Sequence, residues 1–230
     1  MVALPSKWQA ALDLPPDTKS RVGEMVDRAY RGFGAEPVLP SSRNDVFRAF
    51  ELTALADVRA VIVGQDPYPD SNVAHGLAFS ASSASPTKAL EAIFSNLEAS
   101  GPSIRFARPN PHDGDLSAWA DRGILLLNAS LTHEDGKLGE HCRVWKPLLR
   151  AVLSAVSHEP KPIPILLLGG RAVDLKTAVT RVEARVLTGH PTPRNNRARR
   201  FPLFATDRPF ARANKFLTQN GALPIDWSLT

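Results

Sequence analysis

Two short turns carry the residues best equipped for chemistry. The first is Gly64-Gln65-Asp66-Pro67-Tyr68-Pro69, and the second is Gly189-His190-Pro191-Thr192-Pro193. Each follows an apolar run, and each is stiffened by glycine and proline, which restrict a turn to a few backbone shapes. If both runs are strands of one parallel sheet, Asp66 and His190 face the same crevice. A carboxylate and an imidazole are then placed around one bound molecule.

The elements that must position them are legible as apolar runs. Val58–Val63 leads into Gly64, Ile124–Leu127 into Asn128, Ile163–Leu168 into Gly169, and Arg185–Leu187 into Thr188. Each is short and largely apolar, as expected for strands buried on both faces. Between them lie helical stripes at i, i+3, i+4, i+7 spacing: Leu90, Ile93, Phe94, Leu97, and then Trp145, Leu148, Leu149, Val152, Leu153, Val156. These stripes face a core and carry no chemistry. Further helices are predicted near Ser20–Arg31, Val173–Arg181 and Pro209–Gln219. Strands alternating with helices predict an α/β fold, a three-layer αβα sandwich around a four-stranded, mainly parallel sheet. Ligands bind such sheets beyond the carboxyl ends of the strands, where all four polar turns lie.

Composition narrows the class. The 230 residues, 43% of them hydrophobic, suit one globular domain spanning 1–230. No apolar stretch approaches the roughly 20 residues needed to span a bilayer. The first sixteen residues lack the apolar centre of a secretory signal. A cytoplasmic protein, nucleoid-associated in a bacterium, is the expectation. Cys142 is the lone cysteine, which excludes an internal disulfide, and the six histidines form no close helical pair of the zinc-protease kind. A metal-free, cofactor-free mechanism is expected.

The net charge of +5 says less than its distribution. From Ala184 to Thr206 there is no acid, but there are five arginines: Arg185, Arg194, Arg197, Arg199 and Arg200. Four of them directly follow the His190 turn, which suggests a rim for phosphates.

With these motifs in place, the chain resembles the family 1 uracil-DNA glycosylases from about Leu39 to Trp227. GQDPYP is similar to the family's GQDPYH. His75-Gly76-Leu77-Ala78-Phe79-Ser80 resembles HGLxFS. Gly114-Asp115-Leu116-Ser117, then Trp119 and Leu125-Leu126-Leu127-Asn128, resembles GDLSxWA…LLLN. His190-Pro191-Thr192-Pro193 resembles HPSP, and Asn214–Leu217 with Pro224–Trp227 resembles TNxLL…PIDW. Six strings in the right order form a specific signal.

The resemblance implies cleavage of the bond joining uracil to deoxyribose in single- or double-stranded DNA by a monomer, with free uracil as product. It implies Asp66 beside the sugar as it turns cationic and His190 donating to uracil O2 as the base leaves as an anion. Asn128 would read N3–H and O4, which cytosine reverses. Tyr68 would exclude the thymine methyl, Phe79 would stack on the ring, and Gln65 would offer backbone groups near O2. Ser80, Gly170, Thr192, Arg194, Arg197, Arg199 and Arg200 would meet the DNA. The base must first leave the helix, at a cost of a few kcal/mol.

Four departures fall on the DNA side. Pro69 replaces a histidine, Arg194 replaces the leucine wedge, and Gly170 replaces a serine. The proline-rich loop shrinks to residues 83–87, with Ala89 where a serine is expected. The arginine run is expected to substitute by charge, which makes DNA affinity steeply salt-dependent. The family's phage-encoded protein inhibitor grips the wedge and nearby loops, so Arg194 argues against sensitivity to it. Other readings stand beside the enzyme: a uracil- or abasic-DNA-binding relative with little turnover, a glycosylase for another damaged base, and a nucleotide hydrolase. The last lacks a GxxxxGK[ST] loop.

Overall fold

A computed structural model describes residues 3–12, 16–81, 85–192 and 202–230. Four parallel strands, β1 (Ala60–Gly64), β2 (Ile124–Asn128), β3 (Ile165–Leu168) and β4 (Arg185–Thr188), form one sheet in the order β2-β1-β3-β4. Every residue of β1, β2 and β3 is buried. Both faces of the sheet are therefore covered, which makes a three-layer α/β fold and explains the uninterrupted apolar runs.

Eight helices accompany the strands among the described residues: α1 (Ser6–Ala11), α2 (Pro16–Arg31), α3 (Arg48–Leu52), α4 (Lys88–Glu98), α5 (Ser117–Asp121), α6 (Leu138–His158), α7 (Gly170–Val173) and α8 (Pro209–Gln219). The stripe on α4 and the stripe on α6 are both buried, as their spacing requires. α2 starts at Pro16, earlier than the apolar spacing alone indicates, because proline fits the first turn, where its missing N–H costs nothing.

The helix expected over Val173–Arg181 does not form. α7 ends at Val173, and a short 3₁₀ turn covers Lys176–Ala178. Thr177, Val179 and Thr180 are β-branched and lose side-chain freedom in a helix. Val179 is extended, and its carbonyl accepts from the Arg185 guanidinium instead of a helical N–H.

Register decides where the polar turns emerge. Gly64 pairs with Asn128, Val63 with Leu167, and Leu168 with Thr188. The carboxyl ends of all four strands thus lie in one row. The chain reverses its direction of travel across the sheet between β1 and β3, and such a switch point opens a crevice. Among the described residues, no helix is long and apolar enough to cross a membrane.

Candidate active site

A cleft of about 360 Å³ opens at this row, lined among others by Asp66, Tyr68, Phe79, Asn128, His133 and His190. The two strand-end turns singled out by sequence therefore share one cavity.

The floor depends on a missing side chain. A Cβ at Gly64 would lie 2.6 Å from Asn128 Oδ1 and 3.0 Å from Cε2 of Phe79. Asn128 is 7% exposed. Backbone pairing continues past the strands, with Ala129 N–H donating to Gly64 O (3.0 Å) and Ser130 N–H to Gln65 O (3.1 Å). Gln65 thus lines the cleft with its carbonyl already engaged.

Phe79 is the sole non-glycine residue at positive φ among those described, at 63°. Left-handed backbone at a bulky residue costs on the order of 1–3 kcal/mol and persists where its surroundings enforce it. The Tyr68 hydroxyl donates to Phe79 O at 3.0 Å. Tyr68 also lies 2.6 Å from Thr87 Oγ1, and Thr87 caps α4 by accepting from Leu90 N–H. Burial pushes the Tyr68 phenol up to about 12, so it stays a neutral donor. One phenol ties the first turn to Phe79 and to α4.

The His190 ring sits 6.0 Å from the Phe79 ring. Thr192 N–H donates to His190 Nδ1 at 3.1 Å, and Thr192 Oγ1 is 2.9 Å from the same nitrogen. A backbone N–H can only donate, so Nδ1 carries the lone pair and the proton sits on Nε2. Burial holds the imidazole below its ordinary proton affinity, opposed by Thr192 and by the charge of Asp66. At neutral pH His190 is therefore an uncharged donor through Nε2. Gly169, at φ 94°, leaves room for it: a Cβ there would lie 3.1 Å from His190 Cβ.

Opposite, Asp66 Oδ2 lies 2.7 Å from His133 Nδ1. His133 was missed by motif reading. Its signal was a histidine five residues beyond Asn128 in the same strand-end loop. Thr87 and Lys88, also at the cleft, were missed because their segment reads only as a loop entering a helix.

Ser80 corrects an expectation. It is 0% exposed. Its hydroxyl accepts from Leu116 N–H (2.8 Å) and contacts His75 Nε2 (2.8 Å), so no phosphate can reach it. Ser80→Ala should lower thermal stability by about 1–3 kcal/mol, the cost of stranding a buried donor. DNA affinity should be unchanged; a melt with no shift would contradict this. Thr192 turns both its N–H and its hydroxyl to His190 and so buttresses that ring. Gly170 is exposed at the β3 end. Arg194, Arg197, Arg199 and Arg200 lie outside the described residues.

Residues 50–218 match the model of the Uracil DNA glycosylase superfamily. The chain belongs to that superfamily. A uracil-DNA glycosylase of Bordetella pertussis is 37% identical over 98% of this chain and 88% of its own length. One of Pseudomonas aeruginosa is 37% identical over 99% and 96%, respectively. Among solved structures, the mimivirus uracil-DNA glycosylase shares the fold with a TM-score of 0.72 at 22% identity, covering 97% of this chain and 84% of that one. The wild-type UNG of Nitratifractor salsuginis gives 0.59 at 20%, covering 97% and 94%.

Proposed function

We propose that this chain hydrolyses the N-glycosidic bond of uracil in DNA, leaving an abasic site and free uracil. The observation that carries the reading is that Asp66 and His190 line one cleft together with Asn128, Tyr68 and Phe79. The C1′–N1 bond breaks with its electron pair going to the base. Negative charge grows on uracil O2, where the Nε2–H of a neutral His190 stabilises it. Positive charge grows on the sugar, where Asp66 opposes it. Water then adds to C1′ and gives its proton to the carboxylate. Asn128 reads the N3–H and O4 edge, and Tyr68 closes the space a thymine methyl needs. Phe79 stacks on the base.

Gly64→Ala should reduce excision about tenfold to a hundredfold, because a displacement near 1 Å at a reacting site costs on that order. Asn128 or Phe79 must move to admit the methyl. Steady-state rates on a uracil oligonucleotide check it, and wild-type kinetics would refute the packing argument.

The arginine run is proposed to hold the DNA backbone. Alanine at Arg197, Arg199 and Arg200 together should flatten the logarithmic salt dependence of DNA binding by roughly one unit per lost phosphate contact. An unchanged slope removes that role.

The activity is tested with oligonucleotides carrying uracil, a thymine–guanine mismatch or hypoxanthine, followed by alkaline cleavage of abasic sites. Release of uracil alone is expected. Tight binding without release would overturn the proposal in favour of a binding relative.

A further inference from the structure

The superfamily motifs do not absorb His133, yet its ring reaches the catalytic carboxylate. Its backbone is fixed by a two-way bridge to Leu39, with N–H···O distances of 2.8 Å in both directions. Its Nδ1 lies 2.7 Å from Asp66 Oδ2, and the two side chains are 10% and 16% exposed. Nδ1 faces Oδ2 in close contact without the alignment of a hydrogen bond, and the contact becomes an ion pair when the ring is protonated. Nε2 lies 3.9 Å from Asp135 Oδ1. Glu134 is committed elsewhere, to Phe33 N–H (2.6 Å) and His141 Nε2 (3.4 Å). Among the described residues, Tyr68 after β1, Lys88 at the start of α4 and His190 after β4 are the other charged or titratable groups lining this cleft.

We infer that His133 is a positioning residue for Asp66: it occupies Oδ2, leaves Oδ1 to the sugar and the water, and by its charge sets how much of the carboxylate's field reaches the sugar. The inference rests on the uracil-excision reading. Contact with Asp66 raises the proton affinity of His133 above the ordinary histidine value, against the opposing effect of burial, with smaller help from Asp135 and Glu134. Above that raised value a neutral ring rests against Oδ2 through its Nδ1 edge. Below it Nε2 gains a proton, and the imidazolium competes with the sugar cation for the same carboxylate. His190, held below the ordinary value, protonates later as pH falls. The first loss of activity on acidification therefore belongs to His133.

The test is excision from a single-stranded uracil oligonucleotide across about pH 5 to pH 9, using wild type, His133→Asn and His133→Val. Asparagine places an amide N–H near the Nδ1 position and cannot titrate; valine does neither. At the alkaline plateau the asparagine variant should stay within about threefold of wild type, and the valine variant should lose about tenfold in kcat with KM within about twofold. The acid limb of the asparagine variant should move to lower pH. Two results overturn the inference: a valine variant with wild-type rate and profile, or an asparagine variant as slow as valine with an unmoved limb. A thermal melt checks folding; should valine fail to fold, the position of the asparagine limb decides alone. Wild type without excision would sink the parent reading. Active wild type with indifferent His133 variants would sink this inference only.

Discussion

Asp66→Asn should slow single-turnover excision by about 10²–10⁴-fold, the range for removing a positioned catalytic base. The substitution keeps shape and volume and removes the charge. Asp66 follows β1 directly, and its partner His133 is anchored by the Leu39 bridge, so the fold does not depend on the carboxylate. Affinity for a uracil oligonucleotide should change little, since the charge acts on a cation that exists only as the bond breaks. Rapid-quench kinetics with saturating enzyme separate the two quantities. An equal fall in affinity and an unchanged chemical step would mean that Asp66 serves binding.

His190→Leu should cost about 10²–10³-fold in the same step, the usual effect of deleting one preorganised donor at a developing anion. Leucine fills the buried volume and removes Nε2–H. The effect depends on which ring nitrogen holds the proton. Thr192 N–H points at Nδ1, which fixes the tautomer, and burial keeps the ring neutral at pH 7. A charged imidazole is not needed, so the wild-type rate should not rise on acidification. A rate that climbs as pH falls through the histidine range would show that the cationic form is the catalyst, contrary to the geometry.

Much of this was legible in the amino-acid sequence, for identifiable reasons. The strands read clearly because burial on both faces leaves no polar alternation to confuse them. Their carboxyl ends fall within a residue of the apolar-to-polar change, since that change is where the sheet gives way to the cleft. Asp66 and His190 came together because parallel register forces strand ends into one row. Other features depend on contacts that local pattern does not encode. The DNA contact expected of Ser80 rests on the resemblance of residues 75–80 to the HGLxFS string, which does not show where the side chain points. The positive φ of Phe79 turns the following residue inward, onto Leu116 N–H and His75. The backbone of His133, whose ring meets Asp66, is bridged to Leu39, a segment distant in sequence. The 173–181 stretch has helical spacing, but its β-branched residues and the Arg185 contact win over it.

The central claim is that one wall of the cleft opposes positive charge on the sugar. It is tested by the affinity of the protein for single-stranded DNA carrying a cationic pyrrolidine in place of the target deoxyribose, compared with the neutral tetrahydrofuran analogue. Wild type should prefer the cation by about tenfold or more, as expected for a mimic of the transition state, and Asp66→Asn should lose that preference. Equal affinity of wild type for the two analogues, or a preference that survives in Asp66→Asn, would contradict the account.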